Sequence, residues 1–393
     1  MAASKPLRAL TVSVVAPDLS GGGTTRVYLI ASALQALGCD VTVVGAQFSE
    51  ELYPVPPSNL KVKAVRSHRS FRYAANLQML LSHITGDIIY AIKPRPTSFG
   101  TALIRKLANR RPIILDIDDW EMSWHGGEHQ HYRPHPKQLA RDLLKPGGAL
   151  QDPDHPLYLE WMENLVSQAD AITVSTRFLQ QRFGGQYLPN SKDTRLFDPQ
   201  HFNSVLSRQK YGLADYRVLM FPGTARPHKG LEDVLMALDQ LNQPDFRLVI
   251  VGGRKPDSYE DDLLARWGKW LIKLPRFQMD EMAEVVSAAH AVVVPQRDYA
   301  TAKAQFPLKL TDAMAMAKPI LSTTVGDIPE ILEGCAYLVE PESPAQIAKQ
   351  LSLIFQDLDA AHQKGLNARE RCVQNYSLAA MSRRLQTVLS AHI

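Results

Sequence analysis

Apolar residues along this chain fall into two alternating patterns. Short runs such as "LTVSVVAP", "DVTVVGA", "DIIYAIKP" and "RPIILDID" are almost continuously apolar and rich in Val, Ile and Leu. Longer segments between them, such as "GGGTTRVYLIASALQALG" and "TALIRKLANR", repeat their apolar positions every three or four residues. The first pattern suits strands buried on both faces, and the second suits helices packed over them. Their alternation predicts βαβ units and a parallel sheet. It breaks between Trp124 and Pro156, where "WHGGEHQHYRPHPKQ" and "LKPGGALQDPDHP" show little periodicity. A long irregular segment inside a compact domain usually has a function.

The alternation restarts after "YLPNSKDTRLFDPQHF". Strands are expected at "YRVLMFPG", "FRLVIVGG", "IKLPRF", "HAVVVPQ", "KPILSTTVG" and "AYLVEP", with helices such as "GLEDVLMALDQL" and "MDEMAEVVSAA" between them. The expected fold is α/β, with two doubly wound, Rossmann-like domains in tandem. The boundaries read from the pattern are residues 1–205 and 206–375, with a last helix in 376–393 that packs back on the first domain. Ligands of such sheets sit at the carboxyl ends of the strands, so two of them facing each other would form a cleft.

Composition narrows the class. A formal net charge of +4 over 393 residues gives no reason to expect a nucleic-acid partner. Three cysteines, Cys39, Cys335 and Cys372, lie too far apart for a disulfide framework and suit a reducing compartment. The opening "MAASKPLRALTVSVVAP" lacks the long apolar stretch of a signal peptide. No apolar run approaches the roughly 18 residues that span a bilayer. The expectation is a cytoplasmic protein, with peripheral contact to the inner face of a membrane left open. Lys61, Lys63, Arg66, Arg69 and Arg72 precede an apolar helix. Such a surface either docks on anionic lipid or is a solvated face over the core.

Candidate chemistry gathers at strand ends. In "FPGTARPHKGLEDVLMALDQL", Arg226 and Lys229 stand where a strand hands over to a helix. A helix N-terminus already favours an anion, and added cations deepen that preference. Gly21, Gly22 and Gly23 follow the first strand, where glycine lets the backbone approach a ligand closely. "AIKPRPTSFG" places Lys93 and Arg95 beyond another strand, a position suited to a phosphorylated or lipid-linked molecule. "LDIDDWE" adds Asp118 and Asp119, strand-end acids that either face a ligand or cap a loop. His125, His129, His131 and His135 lie close together without an ordered zinc spacing, so no metal is expected.

Four segments, in order, resemble the retaining GT-B glycosyltransferases, the group 1 enzymes that include glycogen-synthase-like and sucrose-synthase-like proteins. "GGGTTR" resembles that family's first-loop Gly-Gly. "LPNSKDTRLFDP" is similar to its inter-domain Asn-Gly-Val-Asp-x-x-x-Phe-x-Pro signature. "GTARPHKGLEDVLMAL" resembles its Gly-Arg-x-x-x-x-Lys-Gly segment, and "FPLKLTDAMAMAKPILSTTVGDIPEIL" its most diagnostic one. The resemblance implies transfer of a sugar from a nucleotide-sugar to an acceptor hydroxyl with retention, without metal or other cofactor. The acceptor is left open between a lipid-linked molecule, a polysaccharide and a small metabolite.

The resemblance also implies residue roles. Lys229 falls on the family's lysine. The arginine slot holds Thr224, so Arg226 would supply the guanidinium from two residues on. Gly22, Gly23, Gly223, Thr224 and the backbone N–H groups of Leu308, Lys309 and Leu310 would bind the diphosphate and sugar, and Asp312 the ribose. Arg276 and Phe277 would take the base, with Phe277 equally suited to core packing. Asp118 stands where the family commonly has a histidine near the sugar. The family's first glutamate is replaced by Ala304. Two further readings stay open: a degenerate relative that binds without transfer, and a sugar-nucleotide epimerase of the same architecture.

Overall fold

The computed structural model describes residues 9–68, 72–129, 132–145, 147–253 and 259–391. Arg69 and His131 lie outside the described residues. The first sheet comprises β1 (Thr11–Ala16), β2 (Asp40–Gln47), β3 (Lys61–Arg66), β4 (Ile88–Ile92), β5 (Ile113–Ile117), β6 (Ala171–Val174) and β7 (Gln186–Tyr187). Its order is β3-β2-β1-β4-β5-β6-β7, and every pairing is parallel. The second comprises β8 (Arg217–Pro222), β9 (Phe246–Val251), β10 (Leu271–Leu274), β11 (Ala291–Val294), β12 (Ile320–Thr323) and β13 (Tyr337–Val339). Its order is β10-β9-β8-β11-β12-β13, again wholly parallel.

The strand chemistry explains these positions. β4 and β5 are buried at every residue, as strands of a covered parallel sheet should be, and the one charged residue among them is Asp116. β3 lies at an edge and leaves its lysines exposed, and Lys61 bonds Asp40 at 2.8 Å. Charged side chains on an edge strand block further pairing, so these lysines have a structural role there. Strand order reverses between β1 and β4 and between β8 and β11. In doubly wound sheets the ligand crevice opens beyond the strand ends at such reversals.

The chain separates into two compact units, residues 1–189 with 381–393, and residues 190–380. The division falls ahead of the expected boundary at residue 205. The reason is local: Phe197 is buried in the second unit's core, the Asn190 amide donates to the Phe306 carbonyl at 3.3 Å, and the Lys192 N–H donates to the Tyr376 carbonyl at 2.8 Å. The last helix, Leu378–Ser390, joins the first unit from Met381 onward, where Ser382 Oγ donates to the Ala33 carbonyl at 2.9 Å.

The segment that lacked periodicity contains helices at Pro136–Leu144 and Pro156–Asn164. Each begins with a proline behind a histidine cap. Nδ1 of His135 accepts from the Gln138 N–H and Nδ1 of His155 from the Leu157 N–H, both at 3.2 Å. Proline at the first helical position loses no internal bond. Part of the histidine content therefore serves helix starts.

Candidate functional site

In the second unit, three loops meet beyond the carboxyl ends of β8, β9 and β10. A Cβ placed on Gly252 would lie 3.3 Å from the Gly223 carbonyl carbon, and one on Gly253 would lie 3.9 Å from Arg276 Cδ. After β8 the chain makes the short turn Pro227–Lys229, with Arg226 half-buried at its start. Gly230 closes the turn at φ 67°, and a Cβ there would lie 2.0 Å from the Pro295 carbonyl oxygen. Arg297 secures the same junction. Its N–H donates to the His228 carbonyl at 3.0 Å, and its guanidinium grips the buried Asp233 at 2.9 and 3.1 Å. The turn with Arg226 and Lys229 is thus pressed against the loop after β11.

Two ammonium groups converge on the end of β8. Lys229 Nζ donates to the Thr224 carbonyl at 3.0 Å and lies 5.9 Å from the Phe221 ring centre. Lys309 Nζ stands 4.8 Å from the same ring. A Cβ on Gly223 would be 3.5 Å from Lys309 Cε, so the absence of a side chain brings backbone and cation together. Burial pushes the Lys309 pKa down to about 8, against the opposing pull of Asp312.

Asp312, also buried, forms an ion pair with Lys192. Sequence reasoning missed Lys192. It stands at the valine of the resembled inter-domain signature, and a lysine in an apolar slot was the available signal. Arg297 and Asp233 were missed as well, because only folding brings "HAVVVPQR" to the start of the helix Leu231–Leu241.

Two donor-site expectations need correction. Phe277 packs edge-on to Tyr211, at 5.5 Å and 74°, and against the second unit's core. Its ring serves packing, while Arg276 on the same loop is exposed. The helix Leu308–Ala315 starts with Leu310 N–H bonded to the Pro307 carbonyl at 2.9 Å, so that donor is taken and its side chain is core. Leu308 and Lys309 keep their first-turn positions, where helix N–H groups have no partner within the helix. Ala304 is fully buried at the end of a short helix.

The first unit builds a different site. Asp18 Oδ1 accepts from the Ser20 N–H at 2.8 Å and Oγ at 2.6 Å, shaping the loop with Gly21, Gly22 and Gly23. Nothing would meet a Cβ on Gly22, whereas one on Gly23 would lie 3.7 Å from Lys93 Cε. Lys93 Nζ bonds Glu121 at 2.7 Å and lies 3.3 Å from Asp118 and 3.9 Å from Asp119. Arg95 Nε donates to Glu121 at 2.9 Å and Nη1 to Asp154 at 3.1 Å. Trp124 Nε1 donates to Asp119 at 3.0 Å.

Burial works to raise the Glu121 pKa, but Lys93 and Arg95 outweigh it and hold the group at about 2. Burial likewise works to lower the Lys93 pKa, and Asp118, Glu121 and Asp119 together raise it. Two cations face four carboxylates here, a formal excess of two negative charges. The carboxylates thus outnumber the cations that Lys93 and Arg95 bring to this loop, and both cations are paired within the protein. The group presents mostly carboxylate oxygens, which accept hydrogen bonds. Glu121, which ties it together, was not singled out in the sequence.

Beneath it, Arg26 and Asp116 are both buried and bonded at 2.6 and 2.8 Å. Arg26 also donates to the Leu188 carbonyl at 2.8 Å, and Thr173 Oγ1 to Asp116 at 2.6 Å. Arg26 lies in the first turn of the helix Thr24–Ala36 and Asp116 near the end of β5. The pair fixes the glycine loop relative to Asp118.

A cavity of about 300 Å³ lined by Arg208, Asp215, Arg217, Asp245 and His290 opens at the amino ends of β8, β9 and β11. It is at the opposite edge of the sheet from Gly223 and Lys309.

Comparison with known proteins adds to this geometry. A family model described as "Glycosyl transferase 4-like domain" matches residues 21–195, and one described as "Glycosyl transferases group 1" matches residues 216–357. An MMP alpha-(1->4)-mannosyltransferase of Mycolicibacterium hassiacum is 25% identical over 218 residues, 54% of this chain and 49% of that protein. A GDP-mannose-dependent alpha-(1-6)-phosphatidylinositol monomannoside mannosyltransferase of Mycolicibacterium smegmatis is 30% identical over 102 residues, 23% of this chain and 27% of that protein. The chain spans about half the length of the curated relatives it matches first, 49% and 52%. Among solved structures, Anabaena HepE in complex with UDP and glucose superposes with a TM-score of 0.72 at 17% identity, covering 97% of this chain and 100% of that one. Sucrose-phosphate synthase of Thermosynechococcus elongatus gives 0.70 at 17% identity, covering 97% and 98%. These likenesses show a GT-B architecture.

Proposed function

The chain belongs to the group 1 glycosyltransferases, and we propose that it transfers a hexosyl group from a nucleoside-diphosphate sugar to an acceptor hydroxyl with retention of configuration. The observation behind this reading is the convergence of Lys229 and Lys309 on the Phe221–Thr224 strand end, beside the start of the helix with Asp312. As the anomeric bond breaks, negative charge grows on the terminal phosphate. Fixed cations and amide dipoles aimed at it stabilise the transition state without a metal. Lys229, Lys309 and the half-buried Arg226 are the cations near this strand end. Loss of one such contact lowers kcat by about a hundredfold.

Asp312 takes the ribose hydroxyls and Arg276 the exposed edge of the base. Asp118 binds a hydroxyl near the reacting carbon, and Asp119 supports it through Trp124. The leaving phosphate takes the acceptor's proton. The excess of carboxylates around Asp118 favours an acceptor whose reacting end is uncharged. Cys39, Cys335 and Cys372 are free thiols, in keeping with the cytoplasmic location that belongs to this reading.

One observation favours a second reading. Ala304 is fully buried where the family's glutamate contacts the sugar, so a chain that binds a nucleotide-sugar without transferring it is the competing view. Incubation with a panel of nucleotide-sugars and acceptors, with chelator present, separates the two. Diphosphate release that depends on acceptor supports transfer. Saturable binding without release supports the second reading. Conversion of the nucleotide-sugar to its epimer would overturn both.

A further inference from the structure

The helix Pro136–Leu144 is seated with its polar side inward. Asp142 is buried, accepting from Tyr132 Oη at 2.9 Å and Arg141 Nε at 3.0 Å. Gln138, one turn earlier on the same face, is half-buried. A Cβ on Gly148 would meet the Asp142 carbonyl oxygen at 2.3 Å, so the chain folds closely back over the carboxyl end of this helix. The leucines face out: Leu139 is 43% exposed, Leu143 41% and Leu144 75%. Surface helices ordinarily bury their apolar stripe. Single exposed leucines are common, but three on one short helix whose polar face is anchored form a patch.

The charge on that outward surface has one sign. Lys137 and Lys145 are exposed, Arg133 before the helix is exposed as well, and the exposed Arg141 pairs with Asp142. The helix's one acid is Asp142, turned inward and hydrogen-bonded. An aromatic chain leads away from its anchor: Tyr132 to His155 at 4.8 Å, His155 to Tyr158 at 6.1 Å, and Tyr158 to Trp161 at 6.5 Å. Trp161, at its end, is 61% exposed.

We propose that the outward face of Pro136–Leu144 docks on an anionic lipid bilayer. Leucines that enter the headgroup–acyl boundary, with lysines and arginines that reach lipid phosphates, are the chemistry such a surface selects. A protein partner matched to the leucines alone would not select the all-cationic border. The site differs from the Lys61–Arg72 stretch, whose β3 lysines guard a sheet edge. Among the described residues no helix is long and apolar enough to cross a membrane, so this contact lies on the surface. The inference does not depend on the sugar-transfer reading.

The test is co-sedimentation of the full chain with vesicles of phosphatidylcholine, with and without phosphatidylglycerol. The chain should sediment with the anionic vesicles and be released by salt. The double variant Leu143→Gln/Leu144→Gln and the charge reversal Lys137→Glu/Lys145→Glu should each lower the partition coefficient at least about tenfold. All four positions are exposed, so both variants should keep the wild-type melting curve. Absence of vesicle binding, equal binding to neutral vesicles, or variants that partition like wild type would overturn the proposal. So would sedimentation velocity showing a dimer that the leucine variant dissociates, with no vesicle binding, since the face would then belong to a second copy.

Discussion

On the proposed reading, Lys309 gives the donor site a pH dependence set by its surroundings. The side chain is buried, close to Gly223 and to the Phe221 ring, and burial holds its pKa at about 8 against the pull of Asp312. From that value the free protein has roughly nine-tenths of this lysine charged at pH 7 and about one-tenth at pH 9. A diphosphate that binds the charged form alone should therefore bind about tenfold more weakly at pH 9 than at pH 7. The sign for folding is opposite. The folded pKa lies below the unfolded value of 10.5, so the unfolded chain binds more protons between the two, and stability of the free protein rises with pH from about 8 toward 10.5. Lys318, buried and lowered to about 7, adds a slope of the same sign, so the informative quantity is the difference between wild type and Lys309→Met. Calorimetric titration with UDP, GDP and ADP across this range measures affinity, and denaturant melts measure stability. Lys309→Met should bind weakly at pH 7 and lose the slope, whereas Lys309→Arg should keep its affinity at pH 9. Equal wild-type affinity at both pH values, or an unchanged slope in Lys309→Met, would refute the placement of Lys309 at the phosphates.

Gly230→Ala adds a Cβ 2.0 Å from the Pro295 oxygen at φ 67°, whereas Gly212→Ala, at φ 68°, meets nothing within 4 Å. Denaturant melts should show a loss of about 1 kcal/mol for Gly212→Ala and several kcal/mol for Gly230→Ala, and equal losses would contradict the packing described. Lys192→Met strands the buried Asp312 carboxylate and should lower stability by about 3 kcal/mol, most of it recovered in Lys192→Met/Asp312→Asn. A double-mutant cycle without coupling would dissolve that ion pair. Glu121 has a folded pKa of about 2, below its ordinary 4.5, so its stabilisation is complete above 4.5 and disappears as pH falls through 2. Glu121→Gln should thus be least stable relative to wild type near neutrality, by about 2 kcal/mol, with the gap closing on acidification. A gap independent of pH would show that Glu121 does not act through its charge.

The fold was legible because parallel sheets write themselves into sequence as uninterrupted apolar runs. "IIYAI" and "IILDI" are buried at every position, and no polar alternation obscured them. The division at Pro189 was not legible, because it rests on contacts of Asn190, Lys192 and Phe197 with residues more than a hundred positions away. The segment after Trp124 hid its helices for another reason. Its starts are written as His-Pro, and one of its helices turns polar residues toward the protein, so the usual apolar stripe points the wrong way for a periodicity search to place it. Lys309 was visible as a cation, but the burial that sets its pKa was not.

The two candidate sites show why a cation at a strand end is not by itself an anion site. Lys93 with Arg95 and Arg226 with Lys229 follow strands in much the same way, and on sequence alone both suit a phosphate. Folding separates them through counter-charge. Glu121 and the neighbouring aspartates reach Lys93 and raise its pKa despite burial, so its positive charge is already satisfied within the protein. At the end of β8, burial prevails over the pull of Asp312 and lowers the Lys309 pKa, so that cation is under-compensated in the free protein. A buried ammonium that gives up its proton easily is one that an arriving diphosphate stabilises. On the proposed reading, the phosphates go to the cation that the free protein compensates least, and the carboxylate-rich group of the first unit is left to hydroxyls.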